Sequence, residues 1–215
     1  MRLPRPLTTP SFPRLYAIIA GPTLGGRRPE EVAQALVRAG VRLIQYRDKT
    51  GSSREIFESS QAIAETIEGS HCLLFINDRA DIARAVGATG AHVGQEDLPV
   101  ELTRRVLAPH QVLGLSTHNV AQAEQAEASS ADYVAIGPIF STASKERPDP
   151  LVGLEGLRQV RRVVRKPLVA IGGITLQNVP SVLEAGADAV AVIRDLMEAP
   201  DIGRRAEEFL RALEP

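Results

Sequence analysis

The 215-residue chain has no tryptophan, a single cysteine and only 4% aromatic residues. One thiol cannot build a disulfide framework, so a reducing compartment, the cytoplasm, is the expected setting. Charge of neither sign is in excess: 25 Lys and Arg stand against 26 Asp and Glu, for a formal net charge of -1. That balance argues against a nucleic-acid partner. No apolar run approaches the ~18 residues of a membrane span, so no membrane partner is expected either. The opening decapeptide, MRLPRPLTTP, carries arginines but no apolar core, unlike a secretory signal. Residues 1–14 read as a Pro-rich lead-in and residues 15–215 as one domain. The remaining composition, 44% hydrophobic and 24% charged, is that of an ordinary globular chain.

What the chain does have is alternation. Short aliphatic runs at 15–20, 41–46, 73–77, 91–94, 112–115, 132–137, 167–171 and 189–193 are bounded by Gly, Pro, Asn or Asp. They are too short for helices and lack polar alternation, as parallel strands covered on both faces do. Segments of helical period lie between them, at 29–39, 100–107, 120–128, 154–165, 178–184 and 202–213, with another running from Ser52 toward Gly69. Ser52 and Glu55 have capping-box spacing. Ala39-Gly-Val, Thr89-Gly-Ala and Ala185-Gly-Ala each stand where a helix is expected to stop and a strand to start. Eight β/α units point to an α/β fold, the closed (β/α)8 TIM barrel. The competitor, an open doubly wound sheet, calls for a GxGxxG turn after its first strand, and the turn at 20–26 lacks that spacing.

In such a barrel the loops after the strands build the working face. Polar residues collect there: Gln45, Arg47 and Lys49 after the second strand, Asn77 and Asp78 after the third, Asp97 after the fourth, Ser116 and His118 after the fifth, Thr142, Ser144 and Lys145 after the sixth, and Arg194 after the eighth. The opposite turns are mostly Ala, Gly and Pro. Asp78 and Asp97 offer hard oxygen ligands without His or Cys to complete a zinc site, which suits Mg2+; each could equally be a helix N-cap. Arg47 and Lys49 share one face of an extended segment and, with Lys145, could surround a diphosphate; the plainer alternative is a solvated patch. Gly172-Gly173 and the segment ending at Ile193-Arg194 fall where barrels often hold a monophosphate. Arg158, Arg161, Arg162 and Arg165 read as solvent-facing, Cys72 as a small buried side chain and His92 as a core residue or one supporting the site from behind, while His118 is left open.

Six segments carry a resemblance: Gln45-Tyr-Arg-Asp-Lys49, Ile76-Asn-Asp-Arg79, His92-Val-Gly-Gln-Glu-Asp97, Gly114-Leu-Ser-Thr-His118, Gly137-Pro-Ile-Phe-Ser-Thr-Ala-Ser-Lys145 and Ile171-Gly-Gly-Ile174. Together, and in this order, they resemble the signature segments of the thiamine-phosphate synthases. The resemblance implies a TIM barrel that joins an aminopyrimidine methyl diphosphate to a hydroxyethylthiazole phosphate. It also implies that Gln45, Arg47, Lys49, Asn77, Ser116 and Lys145 hold the pyrimidine diphosphate, that Asp78 and Asp97 carry Mg2+, and that Thr142, Ser144, Gly173, Ile193 and Arg194 take the thiazole phosphate. The partners are then two small molecules, with a homo-oligomer left open. The chain departs from the family at Arg194, where Ser is usual; its guanidinium could add a contact to the phosphate, or could face solvent while its N–H binds. A thiazole tautomerase and a non-catalytic phosphate-binding barrel are the rival readings, and the full set of charges at the rim stands against both.

Overall fold

Each of the eight aliphatic runs becomes a strand in the computed structural model, which describes residues 12–141 and 150–214. The strands are β1 Leu15–Ala20, β2 Leu43–Arg47, β3 Leu73–Asn77, β4 Gly90–Val93, β5 Val112–Thr117, β6 Tyr133–Ile136, β7 Leu168–Ile171 and β8 Ala189–Val192. All pair in parallel with their sequence neighbours, and β1 returns to β8, Tyr16 opposite Ala191, to close the barrel. The helices are α1 Pro29–Arg38, α2 Ser53–Thr66, α3 Ala80–Ala85, α4 Val100–Val106, α5 Val120–Ala128, α6 Gly153–Val163, α7 Val179–Glu184, α8 Arg194–Met197 and α9 Ile202–Ala212. The sequence pattern set no bounds for α3 and did not point to α8: they span six and four residues, too little for a helical period to declare itself. No helix among the described residues is long and apolar enough to cross a membrane.

Local chemistry explains the helix starts. Pro29 opens α1 with Glu30 and Glu31 in its first turn, complementing the helix dipole, and Val32, Ala33 and Leu36 are buried on its inner face. At α2 both halves of the capping box form: Glu55 N–H donates to Ser52 Oγ at 3.3 Å, and Ser52 N–H donates to Glu55 Oε2 at 2.7 Å. Of the three Gly positions expected to stop helices, Gly40 and Gly186 adopt positive φ. Gly90 does not. It is the first residue of β4, and a Cβ there would stand 1.9 Å from the Val112 carbonyl oxygen, so its role is close strand packing.

Side chains alternate across the barrel wall with the strand period of two. Outward ones meet the helices in the large core, while Tyr16, Ile18, Leu43, Phe75, Tyr133, Ala135, Val169, Ala189 and Ala191 fill the lower interior. Phe12, three residues ahead of the expected domain start, joins them, its ring centroid 5.3 Å from that of Tyr133.

The rim at the N-terminal ends of the strands is less bland than Ala, Gly and Pro turns suggested. Asp132 and Asp188, each just before a strand, accept from an N–H at the start of the neighbouring strand, Leu113 at 2.7 Å and Leu168 at 2.8 Å. Each also receives an arginine from a preceding helix, Arg104 and Arg161 respectively. Arg161 is therefore not solvent-facing as expected: besides Asp188 at 2.7 Å it donates to the carbonyls of Val164 and Lys166. Arg158, Arg162 and Arg165 on the same segment are exposed.

Candidate active site

At the other rim, the C-terminal ends of β2, β3 and β4 bring three of the expected residues into contact. Lys49 Nζ lies 2.7 Å from Asp78 Oδ2, and the carboxyls of Asp78 and Asp97 hydrogen-bond each other. The backbone sets this up. Asp78 is the one described non-glycine residue with positive φ (60°), a conformation that costs about 1–3 kcal/mol and needs its surroundings to hold it. The hold is Asp78 N–H donating to the His92 carbonyl at 2.8 Å. Asp97 is fixed from within its own turn, where Oδ2 accepts from Gly94 N–H at 2.7 Å.

These interactions answer the capping alternative. Arg79 and Pro99 occupy the N-cap positions of α3 and α4, and neither aspartate caps a helix. Burial first, then the neighbouring Asp97 carboxylate, pushes Asp78 up to about 6 against the pull of Lys49. Burial also works to raise Asp97, but hydrogen bonds from Asp78 and Gly94 hold it below its usual range. Two carboxylates forced together, one of them reluctant to ionise, form a donor pair short of a compensating charge. No cluster of three His, Cys, Asp or Glu exists among the described residues. A pair of hard oxygens with an open outer side fits Mg2+, which takes the rest of its shell from water and phosphate.

The loop carrying Lys49 is shaped by Asp48, whose Oδ1 accepts from Thr50 N–H at 2.9 Å, Thr50 Oγ1 at 3.0 Å and Gly51 N–H at 3.0 Å. Arg47 closes β2 half-buried, and no carboxylate pairs with it among the described residues. Asn77, at the end of β3, is buried, and its Nδ2 has no partner among the described residues. A buried amide N–H left unsatisfied is costly unless a ligand accepts from it.

No hydrogen bond joins Gln45 to Ser116 directly among the described residues, but a chain of buried side chains links them. Gln45 Nε2 donates to Tyr16 Oη at 2.8 Å, and Tyr16 Oη lies 2.9 Å from Tyr133 Oη. Tyr133 Oη is 2.8 Å from His92 Nδ1, and His92 Nε2 is 2.8 Å from Ser116 Oγ. Burial pushes both tyrosine hydroxyls well above their ordinary range and brings His92 down to about 4, so all three are neutral. His118 Nδ1 lies 2.7 Å from the Gly137 carbonyl oxygen.

The loops after β7 and β8 form a second cluster. Gly172 and Gly173 both have positive φ, and a Cβ on Gly173 would stand 2.6 Å from the Ser141 carbonyl oxygen, so the β6 and β7 loops touch backbone to backbone. Asp195 Oδ2 accepts from Leu176 N–H at 2.9 Å, tying this loop to α8, whose N-cap is Ile193. Thr142, Ser144 and Lys145, expected to complete both clusters, lie outside the described residues.

The family model for thiamine monophosphate synthase matches residues 15–196. The chain belongs to this family. A thiamine-phosphate synthase from Koribacter versatilis is 50% identical over 209 residues, covering 94% of this chain and 96% of its relative. One from Chloroflexus aurantiacus is 40% identical, covering 93% and 92%. Among solved structures, thiamine phosphate pyrophosphorylase from Pyrococcus furiosus superposes with a TM-score of 0.83 at 36% identity, covering 93% of this chain and 95% of that one.

Arg194, the expected departure from the thiamine-phosphate synthase pattern, pairs along its own helix. The Arg194 side chain is half-exposed, and its Nε donates to Glu198 Oε1 at 2.7 Å along α8. That pairing favours the second of the two roles weighed for Arg194, with the guanidinium turned to the helix surface and the N–H left for the loop. Sequence reasoning did not assign Tyr16, Tyr133, Asp48 or Gly114 to the site. The available signal was two tyrosines at inward positions of otherwise aliphatic strands, where an apolar side chain would fill the space as well. Cys72 behaves as expected of a small packed side chain, half-buried against the core with its thiol pushed up to about 12 by burial.

Proposed function

We propose that this chain synthesises thiamine phosphate, and that the residues described above divide the work between two phosphate-bearing substrates. The aminopyrimidine methyl diphosphate lies over Gln45, Asn77 and Ser116, with its diphosphate toward Arg47, Lys49 and Lys145. The bond between its methylene carbon and the diphosphate oxygen breaks, assisted by electron donation from the pyrimidine amino group. The thiazole ring nitrogen then captures the methylene, giving thiamine phosphate and free diphosphate. No protein nucleophile is needed.

Negative charge grows on the departing oxygens, and fixed cations aimed at that charge lower the barrier. Arg47 supplies a planar donor fork and Lys49 a compact charge. Mg2+, held by Asp78 and Asp97, would when bound supply further charge neutralisation at the diphosphate. Gly173, the N–H groups at Ile193 and Arg194, and the hydroxyls of Thr142 and Ser144 hold the thiazole phosphate. Binding both substrates side by side converts a bimolecular encounter into a positioned one. A lone packed thiol suits the reducing cytoplasm.

The observation that carries this reading is the meeting of Lys49, Asp78 and Asp97 beside a buried amide of Asn77 that has no partner among the described residues. Thiamine phosphate formation is measured with each substrate and Mg2+ omitted in turn. Product and diphosphate in equal amounts, only when all three are present, is the expected result. Thiazole isomerisation without diphosphate release would overturn it in favour of a tautomerase.

A further inference from the structure

The hydrogen-bond chain through the barrel interior has a direction, and the direction follows from counting protons. Gln45 approaches Tyr16 with its amide nitrogen, which can only donate. Tyr16 Oη therefore accepts there and has its own proton to place, and Tyr133 Oη at 2.9 Å is the acceptor within reach. Tyr133 must in turn give its proton to His92 Nδ1 at 2.8 Å. His92 then carries its proton on Nε2 and donates to Ser116 Oγ at 2.8 Å, which leaves the Ser116 proton for a ligand. Tyr16 and Tyr133 are 1% and 0% exposed, so reversing any link would strand a hydroxyl proton where no water can take it. Gly114 makes the junction sterically feasible: a Cβ at that position would stand 2.3 Å from Tyr133 Oη and 2.4 Å from His92 Nδ1.

We infer that Tyr16, Tyr133 and His92 are positioning residues that set hydrogen-bond polarity at the pyrimidine subsite, fixing Ser116 as a donor and leaving the Gln45 carbonyl oxygen as an acceptor. The inference rests on the proposed reaction. An acceptor facing the exocyclic amine holds its N–H and strengthens its electron donation; the same chain run backwards would set a donor against a donor. The polarity thus selects an amino-substituted pyrimidine over its oxo counterpart. None of the three residues touches the reacting atoms.

The test is the tautomer of His92, read by 15N NMR on the full chain labelled at histidine, without substrates, with His92→Asn for assignment. A single Nε2–H tautomer is expected; an Nδ1–H tautomer overturns the inference. In Tyr133→Phe, and separately in Tyr16→Phe, the single tautomer should give way to a mixture. In both variants KM for the aminopyrimidine diphosphate should rise roughly tenfold, the scale of a lost oriented hydrogen bond, with KM for the thiazole phosphate within about twofold. Equal rises for both substrates would mean a merely structural role and overturn the inference. Because the tautomer is read without turnover, it decides the chain's direction even if the wild-type protein makes no thiamine phosphate, an outcome that would remove the reaction alone.

Discussion

A methyl group on Gly114 would stand 2.1 Å from Cζ of Tyr133, so the β5 backbone and the tyrosine ring share a space with no room for even the smallest side chain. Gly114→Ala must therefore move β5 or the ring, and both carry the hydrogen bonds that lead to Ser116. We expect a loss of about 3 kcal/mol, at the upper end of ordinary overpacking. Urea denaturation measures the stability, and a raised KM for the aminopyrimidine diphosphate reports the displaced Ser116.

Acid should expose two opposed titrations. Burial lowers His92 from 6.5 to about 4 in the folded protein, so the unfolded chain binds its proton first and stability falls as pH drops from about 6.5 toward 4. Asp78 is shifted the other way, from 3.8 to about 6, so the folded protein binds that proton first and stability rises as pH drops from about 6 toward 4. Each slope is about 1.4 kcal/mol per pH unit, and they largely cancel in the wild-type protein. Asp78→Asn removes the compensation. With a chelator present, the unfolding free energy from urea denaturation should fall by about 2 kcal/mol more between pH 6.5 and 4 in Asp78→Asn than in the wild type. Parallel curves would contradict the shift assigned to Asp78.

Arg194→Ser restores the residue usual in the family. Since the guanidinium already pairs with Glu198 on the helix surface, KM for the thiazole phosphate should stay within about twofold of wild type. A clear rise would show the side chain reaching the phosphate after all.

Arg161 serves the opposite rim. Arg161→Ala leaves Asp188 and the Val164 and Lys166 carbonyls short of a donor, and we expect a cost of about 2 kcal/mol. Thermal melting measures it, and kcat and both KM values should not change, because the clamp lies at the strand starts.

The barrel was legible in the sequence because its strands are uninterrupted aliphatic runs closed by polar residues, and the polar ends fell together at one rim as the topology requires. Asp78, Asp97 and Lys49 could be chosen for the same reason. The Tyr16–Tyr133 contact could not: its partners are 117 positions apart and meet only because the closed barrel sets β1 across from β6. Arg161 was misjudged because helical period places it beside exposed arginines, and only the Asp188 turn from the next β/α unit reveals its partner.

Phe12, Phe75, Tyr16 and Tyr133 stop the barrel from below, their rings packed edge to face or tilted at centroid distances of 5.3 to 6.1 Å. Nothing can pass through such a floor, so the protein is a cup rather than a tube. Both reactants must enter, and both products leave, by a single mouth. Were one reactant to settle beneath the other, it would have to arrive first and its product depart last, making the order of traffic a property of the architecture as much as of affinity.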